Sequence, residues 1–287
     1  MDRRDFIKGA TGMTLAAGGI KALSDLAHAK ETSDQLPVLF VGHGSPMNAI
    51  ETNRFSTKWE EVGKQLPKPE VILVVSAHWL TKGTRVTSME KPKTIHDFGG
   101  FPQELFDQQY PAPGSPETAK HAQEALAPTH VHLDDEWGFD HGSWSVLKRM
   151  YPDADIPTIQ LSIDYTLKPE EHFALAQQLA ALRKRGVLIL GSGNVVHNLR
   201  ALKFDGGTYD WAQEFDTRVT DLINAGKESE INNFLQWGEL AKSAHPTYEH
   251  FLPLMYITGA KKQSDAPAFF NEGIDLGSIS MRSVIYS

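Results

Sequence analysis

The chain has 287 residues, of which 40% are hydrophobic and 22% are charged, a composition typical of an ordinary globular domain. Its formal net charge is -8 and it has no lysine- or arginine-rich run, so no nucleic-acid partner is expected. It contains no cysteine, which excludes disulfides, thiolate zinc sites, iron–sulfur clusters and cysteine nucleophiles. Any bound metal must therefore be held by histidine, aspartate or glutamate.

Residues 1–29 have the features of an export signal. The adjacent Arg3 and Arg4 precede a mild apolar stretch that is too short to span a bilayer, and residues 27–29 (Ala-His-Ala) suit cleavage by a signal peptidase. The arginine pair resembles the twin-arginine motif. We therefore expect export to the periplasm by the twin-arginine machinery, no stable membrane anchor, and a mature catalytic domain over residues 30–287.

The rest of the chain alternates between predicted strands and predicted helices. Apolar runs bounded by turn-forming residues predict buried strands over 38–41, 71–75, 156–163 and 187–190. Helical patterns cover residues 55–65, 116–126 and 169–185. Residues 90–116 are rich in proline and glycine and predict a long ordered loop, and residues 278–287 predict an edge strand. This alternation favours a single α/β domain with a largely parallel central sheet flanked by helices.

Three histidines follow predicted strands. His43 and His78 come soon after the first and second strands, and His197 follows the fourth strand after residues 191–194, a Gly-Ser-Gly-Asn stretch that we interpret as a flexible loop. The carboxyl ends of parallel strands form a shared crevice, so these side chains are expected to converge there and to build the active site. Neutral imidazole is a good ligand for zinc and iron. The pattern therefore predicts a metal site built from histidines.

Other side chains are candidates to complete this crevice. His141 and His250 lie beside glycine or aromatic residues in the sequence. Phe98, Phe101 and Trp144 are candidates for the floor of an aromatic substrate pocket, although such residues more often belong to the core. The sequence leaves His96 and His245 undecided. The remaining histidines of the mature chain are interpreted as solvated surface groups: His121, His130, His132 and His172.

Five blocks of sequence carry a family resemblance. They are residues 42–47 (Gly-His-Gly-Ser-Pro-Met), 76–79, 94–102, 138–144 and 192–198. These blocks closely resemble the DOPA-type extradiol aromatic ring-opening dioxygenases, which belong to the same superfamily as the catalytic subunit of protocatechuate 4,5-dioxygenase. The resemblance runs in order from about residue 36 to the C terminus, so it is far more specific than any single motif.

The resemblance implies a metal held by His43, His78 and His250. It places His197 beside the metal, either as a further ligand or as the catalytic acid/base, and it places His141 on the substrate side as the second candidate for acid/base. Substrate-binding residues would be His96, Phe98 and Trp144.

The resemblance also bears on the metal. In the wider superfamily two histidines and a carboxylate hold iron, whereas here His250 stands at the third position with Glu249 adjacent. An all-histidine set suits Zn²⁺ at least as well as Fe²⁺. One divalent metal per chain, Zn²⁺ or Fe²⁺, is therefore expected.

The function that follows is a metal-dependent extradiol dioxygenase, which inserts O2 next to the diol of a catechol-type, DOPA-like substrate and opens the ring. Its partners would be a small aromatic diol and O2. The alternative is a zinc-dependent hydrolase that uses the same histidines to activate water. A periplasmic metal carrier would show a mobile His-rich or acidic tract, and none is seen. A serine hydrolase is disfavoured because the Gly-x-Ser-x-Gly pattern is missing.

Overall fold

The computed structural model describes residues 35–287. The strands are β1 (Val38–Gly42), β2 (Val71–Thr81), β3 (Thr84–Thr87), β4 (Lys93–Thr94), β5 (Val131–Asp134), β6 (Gly138–Phe139), β7 (Thr158–Asp164), β8 (Val187–Gly193), β9 (Pro267–Phe270), β10 (Ile274–Asp275), β11 (Ile279–Ser280) and β12 (Ser283–Tyr286). The helices are α1 (Arg54–Gln65), α2 (Gln103–Phe106), α3 (Pro116–Ala125), α4 (His141–Met150), α5 (Pro169–Leu179), α6 (Asp210–Asn224), α7 (Glu228–Ile231), α8 (Glu239–Ala244) and α9 (Leu252–Ala260). Short 3-10 helices cover Pro46–Ala49, Ala180–Arg185, Leu199–Ala201 and Phe234–Trp237.

The central sheet has eight strands in the order β5-β3-β7-β2-β8-β1-β12-β9. The four middle strands β7, β2, β8 and β1 run parallel to one another, as the alternation of strands and helices predicted. Both faces of such a sheet are covered, which explains why β1 and β8 are continuous apolar or small-residue runs with every residue buried. The predicted fold class is confirmed.

Alternate residues of each strand supply two separate cores. In β1, Val38 and Phe40 pack on one side of the sheet with α3, α5, α6 and α9, whereas Leu39 and Val41 pack on the other side with α1 and α4. The result is a three-layer arrangement in which α4 begins at the carboxyl end of the sheet. Among residues 35–287, no helix is long and apolar enough to cross a membrane.

Side-chain caps and a proline mark where helices begin. The Ser115 hydroxyl accepts from the Thr118 amide and caps α3, with Pro116 at the first helical position. Asn53 caps α1 through a reciprocal pair of hydrogen bonds with Ser56. The predicted helix over 169–185 is α-helical only to Leu179 and ends as a 3-10 helix.

Two local expectations were wrong, and a third was incomplete. Residues 283–286 form β12, which lies between β1 and β9, so the C-terminal strand is internal and β9 is the edge. Residues 191–193 are the buried end of β8 rather than a flexible loop, and they pair in register with β1. The long loop over 90–116 is ordered as predicted but contains β4 and α2. The expected signal over residues 1–29 lies outside the described residues.

Candidate active site

Five histidines from distant parts of the chain meet at the carboxyl end of the sheet. His43 follows β1, His78 lies in β2 where its register with β7 shifts, and His141 opens α4. His197 follows β8 and His250 precedes α9. The ring centroid of His43 lies 5.1 Å from that of His78, 5.6 Å from that of His141 and 5.3 Å from that of His250. The side chains that the strand ends were expected to bring together therefore do share one site.

The orientation of His43 is fixed by a serine. The Ser192 hydroxyl donates to the carbonyl oxygen of Gly142 at 2.5 Å, so it receives a hydrogen bond from His43 Nδ1 at 3.0 Å. His43 thus carries its proton on Nδ1, and Nε2 keeps its lone pair. That Nε2 lies 3.2 Å from Nε2 of His78, so the two nitrogens converge on one point.

One carboxylate serves two of the rings. Oδ2 of Asp97 lies 3.3 Å from Nδ1 of His78 and 3.0 Å from Nδ1 of His141, although it is off the ideal hydrogen-bond direction. Oδ1 accepts from the backbone amide of His141 at 2.8 Å. The two rings are neighbours, with centroids 3.8 Å apart. A carboxylate at both Nδ1 atoms favours protonation there and leaves both Nε2 atoms as acceptors.

His250 is oriented by the residue before it. Its Nδ1 lies 3.1 Å from Oε1 of Glu249, so the carboxylate again holds the proton on Nδ1. The backbone at this point is pressed against β8, because the His250 carbonyl accepts from the Asn194 amide at 2.8 Å. A Cβ on Gly193 would lie 2.1 Å from that same oxygen, so only glycine fits. The glycine allows close packing and does not mark mobility.

Among the five, His197 is the ring for which the described residues offer neither a serine nor a carboxylate partner at Nδ1. The ring stacks on His250, with centroids 3.5 Å apart and an angle of 6° between the planes. Its backbone amide donates to the carbonyl of Ala244 at 3.0 Å. The main chain is therefore fixed, and the stacked ring is partly exposed.

A second layer of buried polar groups supports α4. Asp140 caps the helix by accepting from the Ser143 amide at 3.1 Å, and it accepts from the Ser76 hydroxyl at 2.6 Å and from the Gln160 side-chain amide. Burial, followed by the charge of Asp97, raises the pKa of Asp140. This network ties β2, β7 and α4 together beneath the histidines.

Aromatic side chains form one wall of the site. The Phe98 ring contacts that of His141 with centroids 5.6 Å apart, and it also contacts His96 at 5.8 Å and Trp144 at 6.3 Å. Trp144 has no exposed surface, and its indole nitrogen donates to the carbonyl of Ile95 at 2.9 Å. His96 Nε2 lies 2.9 Å from the carbonyl oxygen of Gln108 and donates to it. Trp144 thus supports Phe98 and His96 from the core side, and Phe98 is the one that reaches the histidines.

Four of the histidines, His43, His78, His197 and His250, are uncharged at neutral pH because their pKa values are lowered. Burial and then the neighbouring imidazoles lower the pKa of His43 and of His250 well below 6.5. The same causes lower the pKa of His78 to about 3 and that of His197 to about 4. An imidazole binds a metal only when the coordinating nitrogen carries no proton. Because these rings are already neutral, they can bind a cation without first releasing a proton.

The donor set fits one divalent metal ion. Donor atoms of His43, His78 and His141 lie within 4.8 Å of one another, and those of His197, Glu249 and His250 form a second group within the same limit. Neutral imidazole nitrogens are donors that both Zn²⁺ and Fe²⁺ accept. The resemblance-based set of His43, His78 and His250 draws on both groups, and its roles remain predictions.

Sequence reasoning missed the groups that orient the rings. Asp97 and Ser192 lie inside motifs that the sequence singled out, yet neither was assigned a role. Their side-chain partners, His78, His141 and His43, are far away along the chain. One signal was available. Ligating histidines usually donate their second N–H to a protein acceptor, so an aspartate or serine inside the histidine motifs was a candidate for that acceptor.

Comparison with known proteins agrees with this geometry. Residues 37–275 match the family described as the catalytic LigB subunit of aromatic ring-opening dioxygenase. A 4,5-DOPA dioxygenase extradiol from Escherichia coli is 51% identical over 88% of this chain and 95% of its own length. The protein of the same name from Beta vulgaris is 38% identical over 85% of this chain and 94% of its length. The crystal structure of an uncharacterized Escherichia coli K12 protein superposes with a TM-score of 0.77 at 45% identity, covering 88% of this chain and 100% of that one.

The chain belongs to the LigB family of aromatic ring-opening dioxygenases. Its enzyme class, an extradiol ring-opening dioxygenase, is confirmed by the same matches. Nothing in these comparisons supports the zinc-dependent hydrolase.

Proposed function

We propose that this enzyme uses one divalent metal, held by His43, His78 and His250, to insert O2 next to the diol of a DOPA-like catechol. The set is the one that the family resemblance implies, and the observation that supports it is that each of these rings has its Nδ1 beside a protein acceptor, a feature that His141 shares. The acceptors are Ser192, Asp97 and Glu249, one for each ring. Each ring therefore presents Nε2 as the lone-pair nitrogen, which is the arrangement of metal-ligating histidines.

The protein residues would move the protons of the reaction. When bound, the metal would supply a binding site for the diol and O2 and a route for electrons between them. His197 is stacked and partly exposed, so it has the freedom to accept a proton from a substrate hydroxyl and to return it later. His141 lies between the metal-binding rings and Phe98, so its Nε2 is the second candidate for that hydroxyl.

An aromatic substrate fits the wall beside the histidines. Phe98, with Phe101 and Phe106 at ring-centroid distances of 5.5 and 5.0 Å, forms an apolar surface next to His141. Aromatic rings pack against such surfaces edge-to-face or offset. The relatives from Escherichia coli and Beta vulgaris are both named for 4,5-DOPA, which supports a catechol with an amino-acid side chain as the substrate class.

The chemistry favours Fe²⁺ over Zn²⁺ as the active metal. Zn²⁺ has no accessible redox change, whereas ring opening passes electrons from the catechol to O2. The all-histidine donor set accepts either ion, so we expect zinc to occupy the same site and to support little turnover.

The test is a reconstitution series. The metal-free protein is loaded anaerobically with Fe²⁺ or with Zn²⁺, and DOPA and O2 are then added. One carbon–carbon bond of the ring and the O–O bond break, two new carbon–oxygen bonds form, and both atoms of O2 enter the product, so one O2 is consumed per ring. Stoichiometric O2 uptake by the iron form supports the proposal. Absence of uptake with DOPA and with simple catechols, in protein shown to hold iron, contradicts it.

We also propose that the protein is exported by the twin-arginine route and acts in the periplasm. The support comes from the sequence of residues 1–29 alone, in which Arg3 and Arg4 form the characteristic pair. This route carries folded proteins, which suits an enzyme loaded with metal before export.

A reporter fusion tests the export proposal. Residues 1–29 fused to a reporter should reach the periplasm only in cells with a working twin-arginine system. Replacing Arg3 and Arg4 together by lysine is the matched control, because it keeps the charge. Export of that variant at the original level would exclude the arginine pair as the recognised feature.

A further inference from the structure

Asp97 lies between two histidines to which the proposed function gives different tasks. Its Oδ2 lies 3.3 Å from Nδ1 of His78, a proposed metal ligand, and 3.0 Å from Nδ1 of His141, on the substrate side. Its Oδ1 accepts from the backbone amide of His141 at 2.8 Å. We propose that Asp97 is a shared positioning residue that fixes the tautomer and direction of both rings. This inference rests on the proposed function.

The partners of Asp97 argue against an ordinary structural ion pair. Within residues 35–287, its ion-pair and hydrogen-bond partners are the two imidazoles and the His141 amide. Asp134, by contrast, pairs with the guanidinium group of Arg85 at 3.1 Å, as in an ordinary structural ion pair. A carboxylate that contacts only imidazole and amide N–H groups acts on the orientation of those rings.

Asp97 is the acceptor that the described residues place beside Nδ1 of both rings. His141 Nδ1 is buried, and no other protein group within the described residues makes a hydrogen bond to it. The rings of His78 and His141 are 3.8 Å apart, so rotation of one would displace the other. With Nδ1 protonated on both, His78 offers Nε2 to a cation and His141 offers Nε2 to a substrate hydroxyl.

The backbone around Asp97 holds the carboxylate in place. The Ile95 amide donates to the carbonyl of Phe139 at 2.7 Å, and the Ile95 carbonyl accepts from the indole of Trp144 at 2.9 Å. In addition, β4 pairs with β6 immediately before α4. The segment that carries Asp97 is therefore tied to the one that carries His141, which makes the distance between them a property of the fold.

The substitution Asp97→Asn tests the proposal with little change in shape. The amide oxygen can still accept from the His141 backbone, but its NH2 group then faces the two Nδ1 atoms and favours the opposite tautomer on each ring. We expect affinity for Zn²⁺, measured by competition with a chromogenic chelator, to fall roughly 10- to 100-fold. At saturating metal, turnover should still be at least roughly tenfold lower, because His141 is also turned.

Two further variants separate the two tasks. His141→Gln should keep the wild-type Zn²⁺ affinity. The double variant Asp97→Asn/His141→Gln should lose as much Zn²⁺ affinity as Asp97→Asn alone, because Asp97 affects the metal through His78. Asp134→Asn, in β5 and outside the active-site histidine cluster, is the control for loss of an ion-paired carboxylate and should leave affinity and turnover unchanged. Unchanged Zn²⁺ affinity in folded Asp97→Asn overturns the proposal, and so does unchanged turnover at saturating metal.

The tautomer itself can be read without any variant. In Zn²⁺-loaded wild-type protein, long-range ¹H–¹⁵N spectra should show His141 protonated on Nδ1. A proton on Nε2 of His141 would overturn the proposal whatever the substrate proves to be. If instead the iron form opens no catechol while the Zn²⁺ and tautomer results hold, the proposed reaction fails and the positioning role stands.

Discussion

Two sets of histidines of low exposure in this protein differ in their chemistry. The five rings at the carboxyl end of the sheet converge on one another, whereas His172 and His245 lie singly in the helical layer. His172 Nδ1 lies 2.9 Å from the Tyr256 hydroxyl, and His245 Nε2 donates to the Val195 carbonyl at 2.8 Å. Burial lowers the pKa of His172 to about 4 and that of His245 to about 3, values like those in the site.

Neither burial nor a lowered pKa therefore identifies the functional histidines. The difference lies in what surrounds the ring nitrogen that is not hydrogen-bonded to the protein. In the site, the Nε2 atoms of His43 and His78 lie 3.2 Å apart with their opposite nitrogens held by acceptors. The ring of His245 instead packs between Phe215 and Phe251, with centroids 5.2 and 4.9 Å away. Converging lone pairs bind a cation, and an isolated neutral imidazole among aromatic rings only fills the core.

The largest expected effect comes from removing a ring that provides a converging nitrogen. His43→Ala or His78→Ala should each abolish stoichiometric metal binding and, with it, ring opening, because a three-ligand site loses most of its affinity with one ligand. Metal content after gel filtration measures the result. His130→Ala, on the exposed surface, is the matched control. Full occupancy in either site variant would remove that residue from the metal's ligands.

Next in size is the loss of the stacked ring. His197→Ala should keep most of the metal and still bind a catechol, while ring opening falls roughly 100- to 10,000-fold, as expected for loss of a general acid or base. Metal analysis, catechol titration and turnover on the same preparation separate the roles. Loss of metal would make His197 a ligand, and unchanged turnover would exclude both roles.

A smaller effect is expected where the ring stays and only its acceptor is lost. Glu249→Gln should weaken metal binding roughly 10- to 100-fold, because Nδ1 of His250 loses its carboxylate while Nε2 remains. Ser192→Ala should act similarly through His43. Competition with a chelator measures both variants. Wild-type affinity in both would show that the rings are oriented by packing alone.

The smallest effect concerns the helical layer and involves stability alone. The pKa of His172 is about 4 in the folded protein against 6.5 for a free side chain; burial lowers it, and Asp164 and Glu171 oppose the shift. The unfolded chain therefore takes up this proton first, so its contribution to the free energy of unfolding is complete above pH 6.5 and is lost as pH falls toward 4.

The variant His172→Gln isolates that contribution, because glutamine can still bond to Tyr256 but does not titrate. The difference in unfolding free energy between wild type and variant should change by at most roughly 2 to 3 kcal/mol between pH 7 and pH 4. Denaturant unfolding of the metal-free proteins at several pH values measures it. A difference that does not depend on pH would show that His172 keeps its ordinary pKa.

The sequence was least informative about histidines in helices. His172 was expected to be a solvated group because its neighbours Glu170 and Glu171 are polar, and that expectation was wrong: the side chain has no exposed surface. The helical pattern of α5 places it on the same side as Leu175 and Ala176, toward α9. A polar stretch around a residue does not reveal which face of the helix that residue occupies.

The sequence by itself determined the alternation of strands and helices, the parallel core of the sheet and the three histidines that follow strands. These features depend on local apolar periodicity and on the rule that parallel strands share a crevice at their carboxyl ends. His141 and His250 were candidates because of their glycine or aromatic neighbours, since neither follows a predicted strand, and the family resemblance gave them roles.

Only the tertiary structure decided how the rings are oriented. Asp97 contacts His78 and His141, Ser192 contacts His43, and Glu249 contacts the adjacent His250. The contacts Asp97–His141 and Ser192–His43 join residues more than forty positions apart in the chain. It also showed that residues 191–193 are a rigid strand end, since a Cβ at Gly193 would collide with the His250 carbonyl. A side chain's direction and the space around a glycine depend on neighbours brought close by folding, and local sequence carries no record of them.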